Sequence, residues 1–86
     1  MNKFYENIDF STSHYFKIDV RGKLDKSLSD IFGGLSISHN SNGETTISQL
    51  EGEIIDQASL IGILNTLFNM RYPIINLTLK KEEQYG

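Results

Sequence analysis

Residues 15–21 read Tyr-Phe-Lys-Ile-Asp-Val-Arg, a strict alternation of side chains along seven positions. Phe16, Ile18 and Val20 fall on one side of an extended chain, and the residues between them fall on the other, because successive side chains of a strand point to opposite faces. The pattern is typical of a half-buried β-strand. The prediction for the rest of the chain is built outward from this strand.

The segment after the strand predicts a short helix. Its apolar residues recur at helical spacing at Leu24, Leu28, Ile31 and Phe32. Asp25 or Ser27 is a candidate N-cap, and Gly33-Gly34 supplies a stop because glycine tolerates the left-handed conformation that ends many helices. We expect about two helical turns here.

A hairpin is predicted next. Leu35 and Ile37 alternate with serines, and Asn42-Gly43 is a strong signal for a type I′ turn between two strands. In the strand after the turn one face carries Leu50, Gly52 and Ile54. Ile47 is out of phase with that face, and we expect a bulge near Ser48 to restore the phase.

A second helix and a last strand complete the chain. Asp56 is a candidate N-cap for a helix that runs to about Met70. Its apolar residues cover about half of the helix surface, and they are Leu60, Ile61, Ile63, Leu64, Leu67, Phe68 and Met70. Pro73 closes the helix, and a last strand follows with Ile75, Leu77 and Leu79 on one side. Gly62 on this helix is expected to permit a close helix contact.

The element order is strand, helix, strand, strand, helix, strand. This order predicts an α+β fold of the ferredoxin-like βαββαβ class, an antiparallel sheet with two helices on one face. We expect a single domain over residues 14–80, a loose arm or edge strand over residues 1–13, and a polar tail over residues 81–86.

Composition and charge limit the classes of function that are expected. The chain has 86 residues, eight basic and eleven acidic side chains, and a net charge of -3, which argues against generic binding to nucleic acid. Tyr15 is one aromatic among mixed charges on the predicted open face, a weak platform for stacked RNA bases. The absence of cysteine fits a reducing compartment, and no apolar run is long enough for a membrane span, so we expect a cytoplasmic location.

Two blocks of the sequence carry a resemblance. The first is Arg21-Gly22-Lys23-Leu24 leading through Phe32, Gly34 and Leu35, and the second runs Leu50, Gly52, Ile54, then Asp56-Gln57-Ala58 and Leu60, Gly62, Ile63, Leu64. Together they resemble a family of short, uncharacterised bacterial proteins. The resemblance spans roughly residues 18–77 and implies one compact domain without a known activity. Relatives often have histidine at the position of Ile61 and glycine at that of Arg71.

No motif predicts catalysis or a cofactor. His14 and His39 stand at a strand entrance and near a hairpin tip, with no third ligand at a spacing typical of a metal site. No serine lies in a nucleophile elbow, and no phosphate-binding glycine loop is present. The segment Val20-Arg21-Gly22-Lys23 invites comparison with acylphosphatases, but their longer signature does not continue beyond it. We therefore expect a protein that is not an enzyme and binds no metal.

Association is the main functional hypothesis. We expect a homodimer or a small protein partner, because the core is small and the second helix has a broad apolar arc. The open sheet face is expected to set Lys17 and Arg21 across from Glu51 and Glu53, either as an interface or as solvated charge pairs. The candidate surface comprises Tyr15, Lys17, Asp19, Arg21, Glu51, Glu53, Ile61, Phe68 and Met70.

A regulatory module is the alternative hypothesis. The predicted topology is similar to that of the amino-acid-binding ACT domains, which bind effectors at dimer interfaces near the loop after the first strand. In this chain the corresponding segment is Gly22 to Ser27. On this hypothesis a small-molecule effector binds beside that loop.

Overall fold

The computed structural model describes residues 14–80, and the predicted arm at residues 1–13 and tail at residues 81–86 lie outside that range. In chain order the elements are strand β1 (His14–Arg21), a 3-10 helix (Lys26–Phe32), strands β2 (Ser36–Asn42) and β3 (Thr45–Ile54), helix α1 (Gln57–Asn69) and strand β4 (Ile74–Lys80).

The four strands form one sheet in the order β2-β3-β1-β4, with every neighbouring pair antiparallel. The predicted α+β class and antiparallel sheet with two helices are confirmed. The ferredoxin-like βαββαβ order is not matched at its first helix, which is a 3-10 helix of seven residues. Asp25 caps its start and Gly33 ends it at φ 70°.

The core lies on one face of the sheet. Phe16, Ile18 and Val20 of β1 are fully buried, as their alternation predicts. Opposite residues of an antiparallel pair share a face, so Leu50 joins the core opposite Ile18. Both helical segments contribute to the same cluster, through Phe32, Leu60, Ile63 and Leu67. Ile31, expected inside, is 54% exposed.

The bulge predicted near Ser48 is wrong. The β1–β3 register runs without a shift, with Val20 opposite Ser48 and Arg21 opposite Ile47. Ser48 therefore occupies a core position and is fully buried. The irregularity of the sheet lies instead between Asp19 and Val20 in the β1–β4 pair, and it places Ile74 opposite Val20. The simple alternation predicted from Ile75 through Leu79 is broken at that point.

The hairpin is confirmed, but its turn differs from the predicted one. Asn42 pairs with Thr45, so the two loop residues are Gly43 and Glu44. Gly43 has φ 67°, whereas neither Asn42 nor Glu44 has a positive φ. A type I′ turn needs positive φ at both central residues, while a type II′ turn needs it at the first alone. The observed conformation fits the second type.

Helix α1 begins as predicted and ends in an unexpected way. The Asp56 side chain accepts a hydrogen bond from the Ser59 N–H at 2.7 Å. At the other end Arg71 N–H donates to the Phe68 carbonyl and Tyr72 N–H donates to the Leu67 carbonyl, the bond pattern of a Schellman motif. Arg71 holds the left-handed position of this motif at φ 66°, a position that favours glycine.

Gly62 makes no close contact with another element in the described part of the chain, because a Cβ built on it meets no atom there within 4 Å. That prediction is wrong, and the close approach occurs at Gly52 instead. A Cβ at Gly52 would lie 2.7 Å from Leu35 Cδ2. Within residues 14–80 no helix is both long and apolar enough to cross a membrane.

Candidate functional site

The open face of the sheet carries the charged residues that the sequence placed there. Lys17 stands directly opposite Glu51, as expected. Arg21 does not face a glutamate, because its partner in the register is Ile47. Tyr15, which is 40% exposed, takes the position opposite Glu53. The face therefore mixes one charge pair with an exposed aromatic and an isoleucine.

Asp19 occupies the centre of this open face. It lies opposite Gln49 of β3 on one side and Asn76 of β4 on the other. Its Oδ1 atom is buried and has no hydrogen-bond partner among residues 14–80. A buried carboxylate oxygen without a donor is unusual, and it marks the middle of the face as a place where a donor would be stabilising.

The apolar part of the predicted surface divides into two regions of α1. Phe68 is 75% exposed, whereas Ile61 is half-buried and Met70 is 37% exposed. Residues seven apart on a helix lie about 20° from each other, so Ile61 and Phe68 share one side, here called the Phe68 flank. Met70 falls on the other side of the buried stripe. The structure thus does not bring all three together.

The contacts made by the opposite side of α1 show which way the Phe68 flank faces. Ser59 and Ile63, on that other side, line a cleft together with Phe32 and Leu35. The 3-10 helix that carries Phe32 packs beside β2, at the far edge of the sheet from β4. The Phe68 flank is therefore directed toward the β4 side of the molecule.

Strand β4 is an edge strand with apolar residues along its length. Within residues 14–80 it pairs with β1 alone. Ile74, Leu77 and Leu79 stand opposite core residues of β1 and form what we call the β4 rim. Ile74 and Leu79 are 39% and 37% exposed, and Leu77 is half-buried. The sequence did not indicate this rim, because alternation alone does not distinguish an edge strand from a central one.

A shallow cleft of about 460 Å³ lies where α1 joins β4. It is lined by Phe68, Arg71, Tyr72 and Pro73. The Tyr72 hydroxyl donates to the Lys23 carbonyl at 3.2 Å, so the ring is anchored to the loop after β1. The Phe68 flank, this cleft and the β4 rim make a continuous run of chain with exposed apolar side chains.

A second cleft, the loop cleft, lies beside the loop after β1. It has a volume of about 480 Å³ and is lined by Lys23, Asp25, Lys26 and His39. The Ser27 backbone N–H above all, and then the Ser27 hydroxyl, donate hydrogen bonds to the Asp25 carboxyl and hold its pKa below the ordinary value, with smaller contributions from His39 and Lys23. The sequence indicated the Gly22 to Ser27 part of this cleft, but it did not indicate the contribution of β2.

The two histidines have structural contacts. His39 lies in β2 opposite Ser48, and its Nε2 donates to the Leu24 carbonyl. His14 packs edge-on against Phe16, with ring centroids 6.5 Å apart. Over the described range, residues 14–80, no cluster of three or more His, Cys, Asp or Glu side chains has the arrangement of a metal site.

Comparison with known proteins gives one match. No curated protein and no solved structure matches the chain. The model of one family, described as a domain of unknown function (DUF8691), matches residues 15–78. The match begins in β1 and ends in β4, so it takes in both clefts and the β4 rim as far as Leu77. The chain therefore belongs to the family described as domain of unknown function DUF8691.

Proposed function

We propose that this protein is an association module that forms a homodimer through the β4 rim and the Phe68 flank. The observation that supports the proposal best is the coincidence of an edge strand with a large exposed aromatic side chain on the adjacent helix. Phe68 leaves 75% of its surface exposed, and β4 has one strand neighbour within residues 14–80.

The two edges of the sheet differ in a way that favours β4. Strand β2 has the sequence Ser-Ile-Ser-His-Asn-Ser-Asn, and its exposed side chains are polar. Strand β4 has the sequence Ile-Ile-Asn-Leu-Thr-Leu-Lys, and three of its apolar residues, Ile74, Ile75 and Leu79, are exposed. A long apolar edge strand is a template for pairing with another chain. The β2 edge offers no such apolar surface.

The proposed dimer joins two β4 strands antiparallel around a two-fold axis. An interface of this kind uses the same patch on both copies, so each copy supplies backbone donors and acceptors to the other. The helix-bearing faces of both sheets then lie on the same side. The two α1 helices run antiparallel beside the axis, and Phe68 of one copy approaches Ile61 of the partner subunit. Burying a phenylalanine side chain contributes about 1.5–3 kcal/mol per copy.

The open sheet face is the weaker candidate for this interface. Lys17 and Glu51 already face each other there, and exposed pairs of this kind contribute less than about 1 kcal/mol. Covering the face would remove charges from water at a cost that the pair does not offset. We therefore assign the self-association surface to the β4 rim rather than to this face.

Light scattering tests the proposal. The wild-type chain is expected to show the mass of a dimer at micromolar concentration, and Phe68→Asp is expected to shift it toward a monomer. Ile31→Asp is a matched control, because Ile31 is 54% exposed on the 3-10 helix and lies away from β4. A wild-type chain that stays monomeric at high concentration would contradict the proposal. So would an equal loss of mass in both variants.

We further propose that the module has no catalytic activity of its own and acts in the cytoplasm. The first part is supported by the lack of a catalytic motif in the sequence, and the second by a chain without cysteine. The resemblance of Val20-Arg21-Gly22-Lys23 to part of the acylphosphatase signature gives a direct check. Hydrolysis of an acyl phosphate by the purified chain would contradict the non-enzymatic assignment.

A further inference from the structure

The loop cleft has the size and the placement of a ligand site. Its volume of about 480 Å³ falls in the range of small-molecule pockets, roughly 300–1,000 Å³. It is lined by the loop after β1 and by His39 of β2, and none of its lining residues belongs to the proposed self-association surface, although the Tyr72 hydroxyl at the junction of α1 and β4 contacts the Lys23 carbonyl. A ligand in this cleft is therefore compatible with either a monomer or a dimer.

The backbone that forms the cleft is held in place by buried and half-buried side chains. The fully buried Ser48 hydroxyl donates to the Gly22 carbonyl at 2.6 Å and accepts from the Leu24 N–H at 2.8 Å. His39 Nε2 donates to the carbonyl of the same Leu24. A loop fixed at both its N–H and C=O groups loses little conformational freedom when a ligand binds, which favours affinity.

The charges that line the cleft favour an anion. Lys23 and Lys26 are both exposed there, and three of the eight basic residues of the chain, Arg21, Lys23 and Lys26, fall within six positions. Asp25 supplies one opposing charge, so the lining carries two ammonium groups against one carboxylate, whose Oδ1 accepts from the Ser27 N–H at 2.9 Å as the cap of the 3-10 helix. A neighbouring cleft of about 300 Å³ shares Lys23 and adds Arg21 and Glu44, one charge of each sign.

We propose that the loop cleft binds the phosphate group of a small organic phosphate, with Lys23 and Lys26 as its charged partners and His39 as the side chain that positions the loop. Lysine ammonium groups are common partners of phosphate because each supplies a compact charge and three donors. On a chain with a net charge of -3, such a site concentrates the anion at one place rather than over the whole surface.

The test is a titration of the full chain with inorganic phosphate and with glycerol phosphate, followed by amide chemical shifts. Saturable shifts are expected at residues 23–27 and at His39. The double variant Lys23→Gln/Lys26→Gln is expected to weaken binding by at least about tenfold, since a hydrogen bond to a charged group contributes about 1.5–3 kcal/mol. Lys17→Gln removes one lysine charge on the open sheet face and is expected to bind as the wild type does.

Three results would overturn the proposal. The first is the absence of saturable shifts with either phosphate at millimolar concentration. The second is a shift pattern spread over all lysines, which indicates non-specific ion binding. The third is an equal loss of affinity in Lys17→Gln. Since Lys23 and Lys26 are exposed, the double variant is expected to keep a dispersed folded spectrum, which separates lost binding from lost fold. Self-association is read by light scattering and does not depend on this outcome.

Discussion

Ser48 lies directly opposite Val20 on the buried face of the sheet. Its hydroxyl occupies a position at which the alternation of the strand predicts an apolar side chain. The hydroxyl serves the loop after β1, since it donates to the Gly22 carbonyl and accepts from the Leu24 N–H. One buried side chain thus satisfies two backbone groups that would otherwise be left without partners. The strand and the loop are joined at this point.

Replacing Ser48 with alanine is expected to lower the free energy of unfolding by about 1–3 kcal/mol, because the Leu24 N–H and the Gly22 carbonyl lose their partner in the core. Urea unfolding measures the change. Ser36→Ala, at an exposed position of β2, is the control and is expected to change the stability by less than about 0.5 kcal/mol. Equal stability of the two variants would show that the Ser48 hydroxyl does not stabilise the loop.

Gly52→Ala is expected to destabilise the fold by about 1–3 kcal/mol through overpacking. The new Cβ would lie 2.7 Å from Leu35 Cδ2, and Leu35 is 2% exposed. Leu35→Val removes the atom that clashes. The cost of Gly52→Ala is therefore expected to be smaller in the Leu35→Val background, as a double-mutant cycle would reveal. Additive effects of the two substitutions would contradict the contact.

Arg71→Gly is expected to stabilise the protein by up to about 1 kcal/mol. A side chain in the left-handed region costs about 1–2 kcal/mol, which the greater freedom of glycine in the unfolded chain offsets in part. Arg71 has φ 66° at the end of α1. Arg71→Ala removes the same charge but keeps a Cβ, so it should bring little of this gain. Thermal unfolding compares the melting temperatures of the two variants. Equal melting temperatures would contradict the explanation by backbone conformation.

The stability of the protein is expected to fall in acid partly through Asp56. Hydrogen bonds from Ser59, its backbone N–H above all, hold the pKa of the Asp56 carboxyl below its ordinary value of 3.8. A group with a lowered folded pKa stabilises the native state above its unfolded pKa, and that stabilisation is lost as the pH falls through the folded pKa. The Asp25 carboxyl, which accepts from the Ser27 N–H as the cap of the 3-10 helix, acts in the same direction.

The comparison of wild type with Asp56→Asn isolates this effect, because asparagine caps helices but does not titrate. The free energy of unfolding of the wild type is expected to decrease relative to that of the variant as the pH is lowered from about 6 to about 2. The decrease is expected at pH values below the ordinary pKa of a carboxyl group. Unfolding curves at several pH values measure it. A difference between the two proteins that does not vary with pH would contradict the assignment.

The sequence predicted those parts of the fold that depend on local pattern and capping. The alternation in residues 15–21 identified the buried side of β1, and Asp56 was recognised as a cap because its side chain acts on neighbouring backbone groups. The position of Ser48 was missed, since its partners are 24 and 26 positions away in the chain. The alternation of residues along a strand does not predict a buried hydroxyl whose backbone partners are distant in the sequence.

The candidate sites were predicted in part for the same reason. Phe68 was placed on the candidate surface because the apolar arc of α1 is too broad for a short helix to cover, and it is exposed. The β4 rim was not identified, since strand order decides which strand is an edge and the sequence left that order open. The loop cleft likewise depends on His39 reaching Leu24 across 15 positions of the chain. Long-range pairing, rather than local propensity, assembles both surfaces.

Cysteine scanning of β4 tests the proposed dimer most directly, because the natural chain has no cysteine and each introduced thiol is the only one present. Single cysteines at positions 75 to 79 are oxidised in turn, with Ser38→Cys on the β2 edge as control. Opposite residues of an antiparallel pair lie about 4.5–5.5 Å apart between Cα atoms, a distance that a disulfide spans. The account predicts covalent dimers that are most abundant at the one or two β4 positions nearest the two-fold axis, and few from Ser38→Cys. No covalent dimer from any β4 position, or an equal amount from the β2 control, would contradict it.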